Sequence, residues 1–83
     1  MKRGRNEIIS QILSTCLEGA NKTRIVYQAN LNFRTVNQYM DILIKNHLIE
    51  ASQGEHILYR TTEKGKSLLE SMNNVSKELS LGV

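Results

Sequence analysis

Apolar residues along this chain recur first at helical spacing. Ile8, Ile9, Ile12, Leu13, Cys16 and Leu17 fall on one face of a helix predicted over residues 6–18, which Gly19 closes as a C-terminal cap. A second, shorter helix opens near Asn21, Lys22 and Thr23 and carries Ile25, Val26 and Ala29 inward. Asn30-Leu31-Asn32 then interrupts it. Asn30 tolerates the left-handed backbone that ends a helix, Leu31 is an apolar plug forced inward, and Asn32 can cap the next helix through its side-chain oxygen. The third helix is predicted over residues 33–46, with Val36, Met40, Leu43 and Ile44 on its buried face and Tyr39 at the margin. After His47 the period changes. Leu48 to Ser52 reads as an extended segment, Gln53-Gly54-Glu55 as a turn, and His56-Ile57-Leu58-Tyr59-Arg60 as a returning strand. Thr62 reads as the N-cap of a last helix, with Glu63 favourably placed at its positive end. Gly65 costs that helix about 1 kcal/mol relative to alanine, which a close contact with a neighbouring element would justify.

Within the last helix Leu68, Met72, Val75 and Leu79 step by four, three and four residues, an a/d seam suited to a partner helix. Leu69, beside the seam, is placed to join the domain core. Two helices joined by a tight turn make a helix-turn-helix, and a hairpin directly after the second helix is the wing of a winged helix. The expected fold is therefore mainly α with a small β-hairpin wing. Residues 1–61 form the winged helix-turn-helix domain, with residues 1–5 as a loose basic arm. Residues 62–83 form a C-terminal dimerisation helix that belongs to the same unit.

The outer face of the third helix carries Arg34, Thr35, Asn37, Gln38 and Asp41. Asn and Gln suit adenine edges in a major groove, and Arg suits guanine. The bland alternative is a solvated surface. Asn37-Gln38 in mid-helix has mediocre propensity, however, and the face is short of the lysine and glutamate that usually fill exposed helices. A protein-interaction module built on the same scaffold is the rival from another class, and it would expose apolar residues on this helix, where none is expected. Tyr27, Phe33, Tyr39 and Tyr59 are assigned to packing.

Length and charge narrow the reading. Eighty-three residues make one domain with a small core, which oligomerisation would supplement. The net charge of +3 is modest, but its placement suits phosphate contact. Lys2, Arg3 and Arg5 form a basic tip, Lys22, Thr23 and Arg24 open the second helix, and Arg60, Lys64 and Lys66 cluster late. The lone Cys16 lies at core spacing, so it is read as a small buried apolar residue rather than a redox thiol. No apolar run reaches the roughly 20 residues of a membrane span, and no signal-type segment opens the chain. A soluble, cytoplasmic protein is expected.

Catalysis finds little support. His47 and His56 have no cysteine or second acid at ligand spacing, so no metal or cofactor is expected. Gly54 and Gly65 do not build a phosphate loop. Ser52, His56 and Asp41 have no local spacing that makes a triad.

The stretch GANKTRIVYQANLNFRTVNQYMDILIKNHLIE, followed by LYRTTEKGKSLLE, resembles the small archaeal winged-helix proteins of roughly ten kilodaltons. The matching pieces are the KTRI-Y-ANL core of the second helix, the Y-M-D-L helix, the N-LIE approach to the wing and the T-EKGK start of the last helix. The resemblance covers residues 6–70. It implies a winged helix whose C-terminal helix pairs with its mate in an antiparallel coiled coil. It also implies homodimeric binding of double-stranded DNA with limited sequence preference, in a chromosomal or transcription-regulatory setting. Taken with the residues, Arg34, Thr35, Asn37 and Gln38 are expected in the major groove, Lys22, Thr23, Arg24 and Arg60 on phosphates, and Leu68, Met72, Val75 and Leu79 in the dimer seam.

Overall fold

The structure, a computed structural model, describes residues 4–81, with side chains described through residue 73. Its elements run in the order α1 (Arg5–Thr15), α2 (Lys22–Ala29), α3 (Phe33–Lys45), β1 (Ile49–Ala51), β2 (Tyr59–Thr61) and α4 (Glu63–Leu81). The core draws on every helix. Ile12 and Leu13 from α1, Ile25 and Ala29 from α2, Val36, Met40 and Leu43 from α3, and Leu69 from α4 close around Cys16, Ala20 and Ile49. Leu31 packs against this cluster from the α2–α3 turn, as its place between two asparagines requires.

Both asparagines of that turn do what their chemistry allows. Asn30 takes the left-handed conformation at φ 54°, and its N–H and that of Leu31 return to the carbonyls of Tyr27 and Val26. The Asn32 side chain accepts the Thr35 N–H at 2.8 Å and caps α3, while Asn21 accepts that of Arg24 at 2.8 Å and caps α2.

Several expected boundaries and faces move. Arg5 lies inside α1 rather than in a loose arm, since Gly4 already accepts the Ile8 N–H. α1 stops at Thr15, short of Glu18, because its last carbonyls are claimed from elsewhere. The Thr61 hydroxyl donates to Leu13 O at 2.6 Å, and the Thr61 N–H and the Gly19 N–H both reach Cys16 O. Leu17 therefore follows the helix instead of extending its buried face, and is exposed. On α3, Ile44 sits one residue past Leu43, turns about a quarter of the way round the helix from it, and is also exposed.

The hairpin is shorter than its sequence pattern. β1 and β2 pair antiparallel, with Ile49 opposite Thr61, Glu50 opposite Arg60 and Ala51 opposite Tyr59. Past Ala51, the Ser52 hydroxyl takes the Leu58 N–H at 3.0 Å and the Ser52 N–H reaches Leu58 O at 2.8 Å. His56, Ile57 and Leu58 thus belong to the connecting loop, and Ile57 and Leu58 stay exposed. β2 has a second neighbour that the pattern conceals. Tyr59 and Ala20 exchange both backbone hydrogen bonds, at 2.8 and 3.0 Å, which ties the wing to the loop before α2.

α3 ends in a reciprocal closure. His47 adopts φ 61°, its N–H reaches Ile44 O, and the Leu48 N–H reaches Leu43 O. The carbonyls left over are taken up by the start of α4. Thr62 donates its hydroxyl to His47 O at 2.6 Å and its N–H to Leu48 O at 3.0 Å, and Lys64 Nζ donates to Asn46 O at 3.1 Å. The same Thr62 hydroxyl accepts the Gly65 N–H and caps α4. Gly65 faces the Leu48 carbonyl so closely that any Cβ would collide with it, which accounts for glycine inside a helix.

Candidate nucleic-acid interface

Because Val36, Met40 and Leu43 hold α3 from one side, the opposite side is set facing outward. Arg34, Asn37, Gln38 and Asp41 are all exposed there. Arg34, Asn37 and Gln38 use their side chains in no hydrogen bond or ion pair with another described residue. Thr35 stands at the margin, half-buried, with its backbone N–H given to Asn32. The structure thus brings four of the expected groove residues onto one helix, three of them fully outward.

The expected phosphate residues divide. Lys22 is half-buried and lies over the Tyr59 ring, 5.6 Å from its centroid, so the wing and the start of α2 share a cation–π contact. Thr23 is exposed on the same turn of α2. Arg24 instead lines a cleft between α1 and α2 together with Glu7, Glu18 and Gly19. Arg60 does not line that cleft but lies beside Gly19 at its edge, since a Cβ on Gly19 would stand 3.8 Å from its guanidinium. No α3 residue lines that cleft. Arg24 and Arg60 form no ion pair with another described residue. Lys2 and Arg3 lie outside the described residues.

Three apolar residues on α3 contradict the expectation that this helix exposes none. Phe33 is 50% exposed, Ile42 56% and Ile44 37%. Phe33 is the first residue of α3 and is not among the side chains packed on the core. Ile42 stands one turn beyond Gln38 and three residues before the exposed Lys45, within the outer face itself. Its spacing from Gln38, and its failure to align with Val36, Met40 and Leu43, was the available signal. Tyr27 is likewise outward, at 82% exposure, and not a packing residue, whereas Tyr39 and Tyr59 do pack on the core.

On α4, Leu69 turns to the core and leaves Leu68 exposed and Met72 half-buried. The side chains of Val75 and Leu79 lie outside the described residues. Cys16 is fully buried, and the loss of solvent around its sulfur pushes the thiol pKa up to about 11, which makes it a poor nucleophile. Among the described residues no group of His, Cys, Asp or Glu is placed to hold a metal ion, and no helix is long and apolar enough to cross a membrane.

Residues 2–80 match the winged helix-turn-helix family. The chain belongs to that family. The protein MJ0287 of Methanocaldococcus jannaschii is 40% identical over 72 residues, covering 86% of this chain and 71% of that relative. Sso10a-2, a DNA-binding protein from Sulfolobus solfataricus, superimposes with a TM-score of 0.84 at 31% identity, over 94% of this chain and 83% of its own. The MarR family transcriptional regulator SPO1453 from Silicibacter pomeroyi shares the fold at 15% identity, with a TM-score of 0.73 over 86% of this chain and 54% of that one. This winged helix-turn-helix thus has archaeal relatives.

Proposed function

We propose that this winged helix-turn-helix chain binds double-stranded DNA as a homodimer, with α3 in the major groove. The observation that carries the reading is the outer face of α3. Arg34, Asn37 and Gln38 are exposed, side by side, and unused by the rest of the described protein. Such donors and acceptors match the edges of guanine and adenine. In this reading Thr35 contributes from the margin, and Lys22, Thr23, Arg24 and Arg60 hold phosphates. Sso10a-2, at 31% identity, is a DNA-binding protein, which supports DNA as the partner. Leu68 and Met72, with Val75 and Leu79, would pair α4 with that of a second copy as an antiparallel coiled coil. The role is transcriptional regulation or chromosome coating in a cytoplasmic, nucleoid setting, without catalysis or cofactor.

The test is a titration of random and genomic duplexes at several salt concentrations. Binding whose logarithm falls linearly with the logarithm of salt is expected, by about 0.9 for each phosphate contacted. Absence of binding to any duplex at low salt would remove the reading. Light scattering of the parent and of Met72→Asp combined with Val75→Asp tests assembly, and a monomeric parent at micromolar concentration excludes the dimer. A second reading, a protein-interaction module, is favoured by the exposure of Phe33, Ile42 and Ile44. It predicts no duplex binding in the same titration.

A further inference from the structure

The exposed Ile42 stands where a soluble helix normally places lysine or glutamate. It is β-branched, which makes it a poorer helix former than either of those, and at 56% exposure its packing within the fold repays little of that cost. Its surroundings are polar and net cationic. Gln38 lies one turn before it, Lys45 three residues after it, and Arg34 one turn before Gln38, with Asp41 the single acid on this face. An apolar protein partner would find these charges uncovered. A duplex major groove offers a better match: an anionic wall, polar base edges, and one kind of apolar group, the 5-methyl of thymine.

We propose that Ile42 is a specificity-determining residue that contacts a thymine 5-methyl group beside the base edge read by Gln38. The proposal rests on the reading that α3 enters the groove, and it adds a preference that hydrogen-bonding residues alone would not create. Gln38 suits adenine, whose partner strand supplies thymine, and Ile42 is the next residue along the same helix stripe. A side chain at i+4 lies about one helical turn, roughly 5–6 Å, farther along the axis, a distance that spans neighbouring base pairs. The face would therefore favour an adenine and a thymine close together over a GC-rich run of the same length.

The experiment replaces thymine by deoxyuridine, which deletes the methyl and leaves every hydrogen-bonding group of the base in place. Duplexes selected in vitro for tight binding are made with thymine and with deoxyuridine, and affinities are read by fluorescence anisotropy for the parent, Ile42→Ala and Ile42→Val. One buried methyl corresponds to about a fourfold change in affinity. The parent is expected to bind the deoxyuridine duplex about fourfold more weakly for each thymine contacted. Ile42→Ala should bind both duplexes alike, near the parent's affinity for deoxyuridine DNA, and Ile42→Val should keep most of the discrimination. Thermal unfolding of Ile42→Ala close to that of the parent shows that the fold is intact. Equal binding of the parent to both duplexes overturns the proposal and leaves DNA binding standing. Discrimination that persists in Ile42→Ala overturns it as well, and places the methyl contact on another residue. Failure of the parent to bind any duplex overturns both the proposal and the function on which it rests.

Discussion

The two ends of α3 are held in opposite ways. At its N-terminal end a short turn joins it to α2, Asn32 caps it, and Arg34 and Asn37 stand in the open. At its C-terminal end the carbonyls of Asn46, His47 and Leu48 all accept hydrogen bonds from the first turn of α4. One end is presented and the other is clamped. The difference shows how a small domain can offer polar side chains to a partner without letting the helix that carries them drift. Orientation is set where the hydrogen bonds converge, and the exposed polar side chains sit where they are absent.

The clamp is the place to break this contrast most severely. Gly65→Ala drives a methyl into the Leu48 carbonyl and the Thr61 methyl, neither of which is the far end of a flexible side chain. We expect a loss of about 3 kcal/mol in urea unfolding, the upper part of the usual overpacking range. A variant as stable as its parent would mean that α4 can lift away freely, and the contrast would fail. Gln38→Ala tests the presented end. Its stability should stay within about 0.5 kcal/mol of the parent. Its binding to a preferred duplex should weaken by about 1–3 kcal/mol more than its binding to random DNA, as read by anisotropy competition. Equal losses on both DNAs would reduce Gln38 to a phosphate contact.

Asn32→Ala removes the cap at the presented end. It should cost about 1 kcal/mol in the same unfolding experiment, since the Thr35 N–H then loses its acceptor. The smallest expected effect has the opposite sign. His47 holds a left-handed backbone that a side chain disfavours, so His47→Gly should stabilise the protein by about 0.5–1 kcal/mol. A destabilised His47→Gly would reveal work by the imidazole that the exposed ring does not display.

Much of this architecture was legible because local chemistry and tertiary packing agree. Asn30, Asn32, Thr62 and Gly65 each carry a backbone preference so specific that a neighbour had only to accept it. The buried faces of α2 and α3 were readable for the same reason, except at Ile44. What escaped the sequence was non-local. Nothing adjacent to Thr15 announces that Thr61 will claim the carbonyls of Leu13 and Cys16 and so end α1 early. Nothing near Tyr59 announces its pairing with Ala20. Ile57 and Leu58 read as strand residues because β propensity expresses fit to a half-buried surface, and here both stay exposed in the connecting loop. The candidate site was legible in its polar members. Its apolar members are less legible: the sequence reading assigns Phe33 and Ile44 to packing by type rather than by angle around the helix, and gives Ile42 no role.

The clamp at Gly65 has a mechanical consequence. α4 runs for 16 residues beyond that joint, a rod of roughly 24 Å. Tilting such a rod by about 10° at its base displaces the far end by roughly 4 Å, about three-quarters of a helical turn. Anything held at the distal end of α4 therefore senses the position of α3 through a lever, and small play at the fulcrum would become a large error in reach. A glycine seated hard against a carbonyl, with three hydrogen bonds around it, keeps that fulcrum stiff.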